Sequence, residues 1–244
     1  MANPILRNAF DAETRVYEGE PMSITGAINK VFILLALTVM SAAYNWWLIA
    51  NGFTDKASLF CIGGAIVGFI LALIISFSSG KTAPILAPVY ALAEGFFLGG
   101  ISAFFEASYS GIVLQAVAGT FAALFSMLLL YKAKVIQCND KFRSVIFTAT
   151  MAIGIIYLIQ IIASLFGRGI PQIFTSSPIG IGFSIIVVLI AAFNFIVDFH
   201  FIEKGAEQML PKEYEWFGAF GLMVTLIWLY LEILRLLAKL SDRN

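Results

Sequence analysis

Seven long apolar runs separated by short polar punctuation dominate the chain, at roughly 28–50, 59–79, 83–105, 112–131, 144–166, 178–199 and 215–238. About twenty apolar residues cross a hydrocarbon layer about 30 Å thick, so each run is long enough to span a bilayer. Lipid supplies no hydrogen-bond partners, so each run must satisfy its backbone internally, and a helix does that. Barrel strands would alternate in hydrophobicity over segments of about ten residues, and these runs do not. The pattern predicts an all-α integral membrane protein: an N-terminal segment 1–27 followed by a seven-helix transmembrane domain, 28–240.

The connections carry matching signals. Ser78, Ser79 and Gly80 close the second run and Gly111 opens the fourth. Gly167, Gly169 and Pro171 part the fifth from the sixth, and Pro211 precedes the seventh. Thr25 is the expected N-cap of the first helix. Trp46, Trp47 and Trp216 fall near helix ends, where amphipathic rings favour the headgroup zone.

Composition supports lipid as the solvent. The chain of 244 residues is 60% hydrophobic and 12% charged, against about 45–50% and about 25% for ordinary soluble domains. Fifteen basic residues balance fifteen acidic ones, so net charge points to no nucleic-acid partner. Charge distribution says more. With the N-terminus inside, the cytoplasmic side holds Arg7, Arg15, Lys30, Lys81, Lys132, Lys134, Lys141, Arg143, Lys204 and Lys212, and the far side Lys56, Arg168, Arg235, Lys239 and Arg243. Basic residues favour cytoplasmic loops, so the N-terminus is expected in the cytoplasm. Residues 1–27 are polar and mixed in charge and do not read as a cleavable signal peptide.

Some chemistry is disfavoured. One histidine, His200, is too few for the multi-histidine zinc sites of membrane hydrolases. Cys61, in an apolar run, and Cys138, in a basic loop, are expected to be free thiols. No nucleophile–base pair, metal cluster or phosphate-binding loop is evident, so no enzyme activity and no cofactor are expected. The seventh run has no lysine at mid-membrane for a retinal Schiff base, only Lys239 near its end.

Attention therefore falls on acids within the runs. Glu94 lies near the middle of the third, where an acidic residue costs about 2.5–3.5 kcal/mol. It is either an ion or proton site or a protonated acid bonded to a neighbouring helix. Asn194 and Asp198 lie four apart near the end of the sixth run, on one helix face with Ser184 and Ala191. Asp198 reads as a solvated helix end or as a buried site. Glu232 reads as an i,i+3 ion pair with Arg235 or as a carboxylate facing the bundle interior. Ala87, Ala91, Gly95, Gly99 and Ala103 form a small-residue stripe suited to close helix packing. Tyr157 and Gln160 read as helix ties.

Several motifs carry a resemblance: "ITGAINK" before the first helix, "AEGFFLGGISAFFE", "GIVLQAVAGTF", "SPIGIGFSIIVV", and "NFIVDFHFIEKGAE" followed by "EWFGAFGLMVTLIWLYLEILRLL". In this order they resemble the Bax inhibitor-1 (transmembrane Bax inhibitor motif) family, in particular its bacterial YccA-like branch. The resemblance implies a seven-helix bundle with the last helix enclosed by the others, in the bacterial inner membrane. It also implies an acidic pair, one from helix six and one from helix seven, whose shared proton couples pH to a Ca²⁺ or other cation leak. By motif position these acids are Asp198 and Glu232, with weak Ca²⁺ contact at both and with Glu94 and Asn194 as further candidates for the ion pathway. YccA-like relatives imply a second role, regulation of a membrane-anchored protease or a cell-stress pathway. Two departures stand out. Glutamate replaces the family's aspartate at 232, and the stretch between the acids is longer by about eight residues, about 12 Å if helical. Helical extension would put the acids at different depths, whereas a bulged loop would let them meet. Lys81 is the nearest basic candidate for the pair.

Overall fold

A computed structural model describes residues 20–78, 80–167 and 171–243. The expectations placed on 1–19 (Arg7 and Arg15 among them), Ser79, Arg168 and Gly169 lie outside the described residues. Among the described residues, seven helices are long and apolar enough to cross a membrane: α1 (Ile24–Ala50), α2 (Thr54–Phe77), α3 (Ala83–Ser108), α4 (Ile112–Lys132), α5 (Asp140–Leu165), α6 (Pro178–Glu207) and α7 (Glu213–Ser241). A four-residue turn of helix, Pro171–Phe174, sits between α5 and α6.

Most helices outrun the apolar runs that predict them. The first begins at Ile24 rather than 28, the fifth at Asp140 rather than 144, and the sixth continues to Glu207 rather than 199. Apolar runs register the hydrocarbon layer, whereas polar residues beyond it keep the same helical hydrogen bonds. The cap of α1 is Ser23, not Thr25: its side chain accepts from Gly26 N at 2.9 Å. The same hydroxyl donates to Glu215 of α7 at 3.0 Å, a tertiary contact that settles the choice. Gly111 opens α4 at φ +82°, in the left-handed region, and Glu106 caps the helix by accepting from Gly111 N at 2.6 Å and Val113 N at 3.1 Å.

The small-residue stripe of α3 is buried against α1. Gly95 lies on Ser41 and the Thr38 backbone, and Gly99 on the backbone of Ala42. Asn45 reinforces the pair by donating to Phe96 O at 2.6 Å. The core is built around α7, which packs on α6, α1, α4 and α3. Buried residues make up 61% of its most apolar stretch, against 11% for α5, so the last helix is the enclosed one. The bundle is tied at both ends. Where the N-terminal segment meets the α6–α7 loop, Met22 N donates to Leu210 O at 2.7 Å and Lys212 pairs with Glu20. At the opposite end, Asp242 accepts from Tyr109 and from Ser176, the latter at 2.8 Å.

Candidate functional site

Asp198 sits nine residues before the end of α6, so it is not a solvated helix end. It is partly buried and faces α7. Its Oδ2 accepts from the Thr225 hydroxyl at 2.6 Å, and Gly221, one turn earlier, leaves no side chain in front of Oδ1. No ion pair reaches Asp198 among the described residues. Two and five residues further along α6 lie His200 and Glu203, both bonded to Tyr131 of α4.

Glu232 lies elsewhere. It is 1% exposed and combines the two readings of its sequence context: an i,i+3 ion pair that is also buried in the bundle. Oε1 accepts from Arg235 and Tyr157, each at 2.8 Å, and from Trp228 Nε1 at 3.2 Å. Arg235 also donates to Tyr157 Oη at 2.8 Å and lies over its ring at 5.2 Å. Glu232 is thus a neutralised anchor for α5. The structure does not join it to Asp198. Thr225, which binds Asp198, is seven residues before Glu232, a helical rise of about 10 Å. α6 and α7 absorb the extra length, with only 208–212 between them, and this sets the two acids at different depths.

The remaining candidates point in other directions. Glu94 is partly buried against α2, where Gly68 makes room: a Cβ there would fall about 2.5 Å from the carboxyl. Asn194 donates to Thr150 at 3.0 Å and to Ile190 O at 2.9 Å, so it ties α6 to α5. Lys81 stays exposed in the α2–α3 loop. The acids therefore do not converge on one centre. Among the described residues, no group of three or more His, Cys, Asp or Glu side chains gathers in a way that would hold a metal. A tight Ca²⁺ site takes 6–8 oxygen ligands, more than any of these carboxyls brings together among the described residues.

Two buried charged groups escaped the sequence reading. Glu215, 1% exposed, accepts from Ser23 N and Oγ at 3.0 Å and pairs with Lys30 at 2.8 Å. It shares a 4–3–4 spacing with buried Ala219, Leu222 and Leu226, which was the available signal. Lys239, 5% exposed, donates to Ile173 O and Gly180 O at 3.0 Å and Ser184 Oγ at 2.9 Å. Its clue was a 3–4 spacing after Glu232 and Arg235. Ser184 and Lys239 stand at the distance of a Ser–Lys catalytic pair. However, Ser184 is 1% exposed and the ammonium spends three donors on oxygens, which suits an anchor and leaves a substrate no approach.

A family model described as Bax inhibitor 1 like matches residues 3–242, nearly the whole chain. Comparison with curated proteins finds none that matches.

Proposed function

Because the chain belongs to the Bax inhibitor 1 like family, we propose that it is a pH-sensitive cation leak, with Ca²⁺ as cation and Asp198 alone as the group whose proton sets the state. The observation that carries this reading is the Asp198–Thr225 contact on the enclosed helix, at a place with no basic partner among the described residues. A neutral Asp198 seals against α7. Loss of its proton puts a charge at membrane depth that costs about 2.5–3.5 kcal/mol unless water or a cation comes beside it. Opening at the α6–α7 seam answers that cost, and Gly221 leaves the space. Glu232 needs no proton for this, since Arg235 already neutralises it.

The test is Ca²⁺ entry into dye-loaded proteoliposomes between pH 6 and 8. Flux rises with pH by roughly tenfold, the factor that about 1.4 kcal/mol supplies. Asp198→Asn flattens this profile, whereas Glu232→Gln and His200→Gln keep its shape. If Asp198→Asn retains the wild-type profile, the reading fails.

In this reading the N-terminus faces the cytoplasm, because the loops and ends on its side of the membrane carry ten basic residues against five on the other. Two of those five, Arg235 and Lys239, are engaged inside the bundle, as is Lys30 among the ten, so the bias towards the N-terminal side stands. A regulator of a membrane protease is less well supported, because the α3 stripe that would offer a docking face is already spent on α1.

A further inference from the structure

A groove of about 650 Å³ opens along the side of the bundle between α1 and α4. Val39, Ala43 and Trp47 form one wall, and Val113, Val117 and Phe121 the other. Its floor is α3 and α7, through residues such as Leu98 and Ile227. Val39 is 58% exposed, Trp47 52% and Val117 38%, so the groove faces the surroundings sideways.

The polar groups of the lining are already occupied. Tyr230 Oη and Ser102 Oγ bond each other at 2.6 Å. Thr38 donates to Leu34 O and Ala91 O, and Thr120 to Ala116 O at 2.8 Å. A water needs two to four polar partners, and this lining offers hydrocarbon instead. Along α1 the groove runs from Leu35 to Ala50, about 22 Å of helix, which takes it from mid-helix to the Trp46–Trp47 end. Half a bilayer core is about 15 Å, so the groove spans one leaflet and continues about 7 Å towards the headgroup zone at the Trp46–Trp47 end. Spread over that length, its volume makes a slot roughly 9 Å from wall to wall, which takes an extended hydrocarbon tail but not a whole helix with side chains at about 10–12 Å.

We propose that this groove binds one acyl chain of a phospholipid from the leaflet at the C-terminal end of the bundle, with the headgroup beside Trp46 and Trp47. On α7, Met223, Leu226, Ile227 and Tyr230 face the groove, while Thr225 points the other way, to Asp198. The bound chain braces the enclosed helix from behind. Binding itself does not depend on whether cations pass.

The full chain, reconstituted in nanodiscs of palmitoyl-oleoyl phosphatidylglycerol and phosphatidylethanolamine, is released into a mass spectrometer under native conditions. The wild type retains one phospholipid mass. Val117→Phe, which fills the groove, lowers the retained fraction about fivefold or more. Ile66→Phe, on the lipid-facing side of α2, leaves it unchanged. A phospholipid with a mid-chain diazirine labels peptides carrying Val39, Ala43 or Val117. If Val117→Phe melts early, Val39→Phe fills the groove from the other wall. Equal retention in the filled variants, labelling spread evenly over the surface, a fatty-acid or detergent mass in place of phospholipid, or a dimer lost on filling would each overturn the assignment. The readout is mass, so it stands or falls separately from Ca²⁺ flux.

Discussion

At the scale of single residues, the deciding question is which charges in the bundle have partners. Glu232 and Arg235 satisfy each other, and Tyr157 bonds to both. Removing one member of a buried pair costs about 3–5 kcal/mol, and exposure of the Arg235 side chain at 38% brings the expected loss for Glu232→Gln to about 2 kcal/mol. Glu232→Gln combined with Arg235→Met is expected to be less destabilised than the sum of the singles by about 1 kcal/mol, measured by thermal unfolding in detergent. Lys239 presents a different case, because its partners are neutral oxygens. Lys239→Met removes the donors that hold Ile173 and Gly180. Hydrogen exchange at residues 173–180 is therefore expected to accelerate while the rest of the bundle keeps its protection. An unchanged exchange rate there would show that the ammonium anchors nothing.

Between elements, the α1–α3 contact depends on residues that lack side-chain bulk. A Cβ at Gly99 would land within about 3 Å of the Ala42 backbone, which cannot step aside without parting the helices. Gly154 on α5 has nothing within 4 Å of the same position. Gly99→Ala is expected to cost about 1–3 kcal/mol as overpacking, and Gly154→Ala to be neutral or slightly stabilising. Comparable melting temperatures for the two variants would remove close backbone approach as the explanation of the stripe.

For the whole molecule, the two end clasps set the acid limit. Hydrogen bonding and charge from Lys212 hold the Glu20 carboxyl below its usual range, and the hydroxyls of Tyr109 and Ser176 do the same for Asp242. A depressed carboxyl contributes its full stability above its unfolded value, about 3.9–4.3, and loses it as pH falls through the folded one. Both clasps therefore stay intact from pH 6 to 8 and loosen only below about pH 4. The clasps therefore leave the unfolding temperature unchanged across the neutral range and lower it at the acid end, with a shallower drop in Asp242→Asn. Since both groups are exposed, salt should blunt the effect. A flux change near neutral pH then has to come from within the bundle.

The length of the apolar runs determined seven spanning helices, because a run of about twenty residues without the alternation of a barrel strand bonds its backbone in lipid only as a helix, and the α3 spacing determined a close-packing face. The enclosed position of α7 and the pairing of Asp198 with Glu232 came from motif order, whereas the acids themselves stood out by their places in the apolar runs. What those acids touch was beyond sequence. Asp198 and Glu232 read as a pair until the helical lengths of α6 and α7 set them about 10 Å apart in rise. Ser23 displaced Thr25 as a cap, and Glu215 and Lys239 proved buried, through contacts between residues 55 to 192 positions apart. Span and face follow from neighbours along the chain. A charge buried in lipid is tolerated only by a partner brought from another helix, and only the packed bundle decides which one arrives.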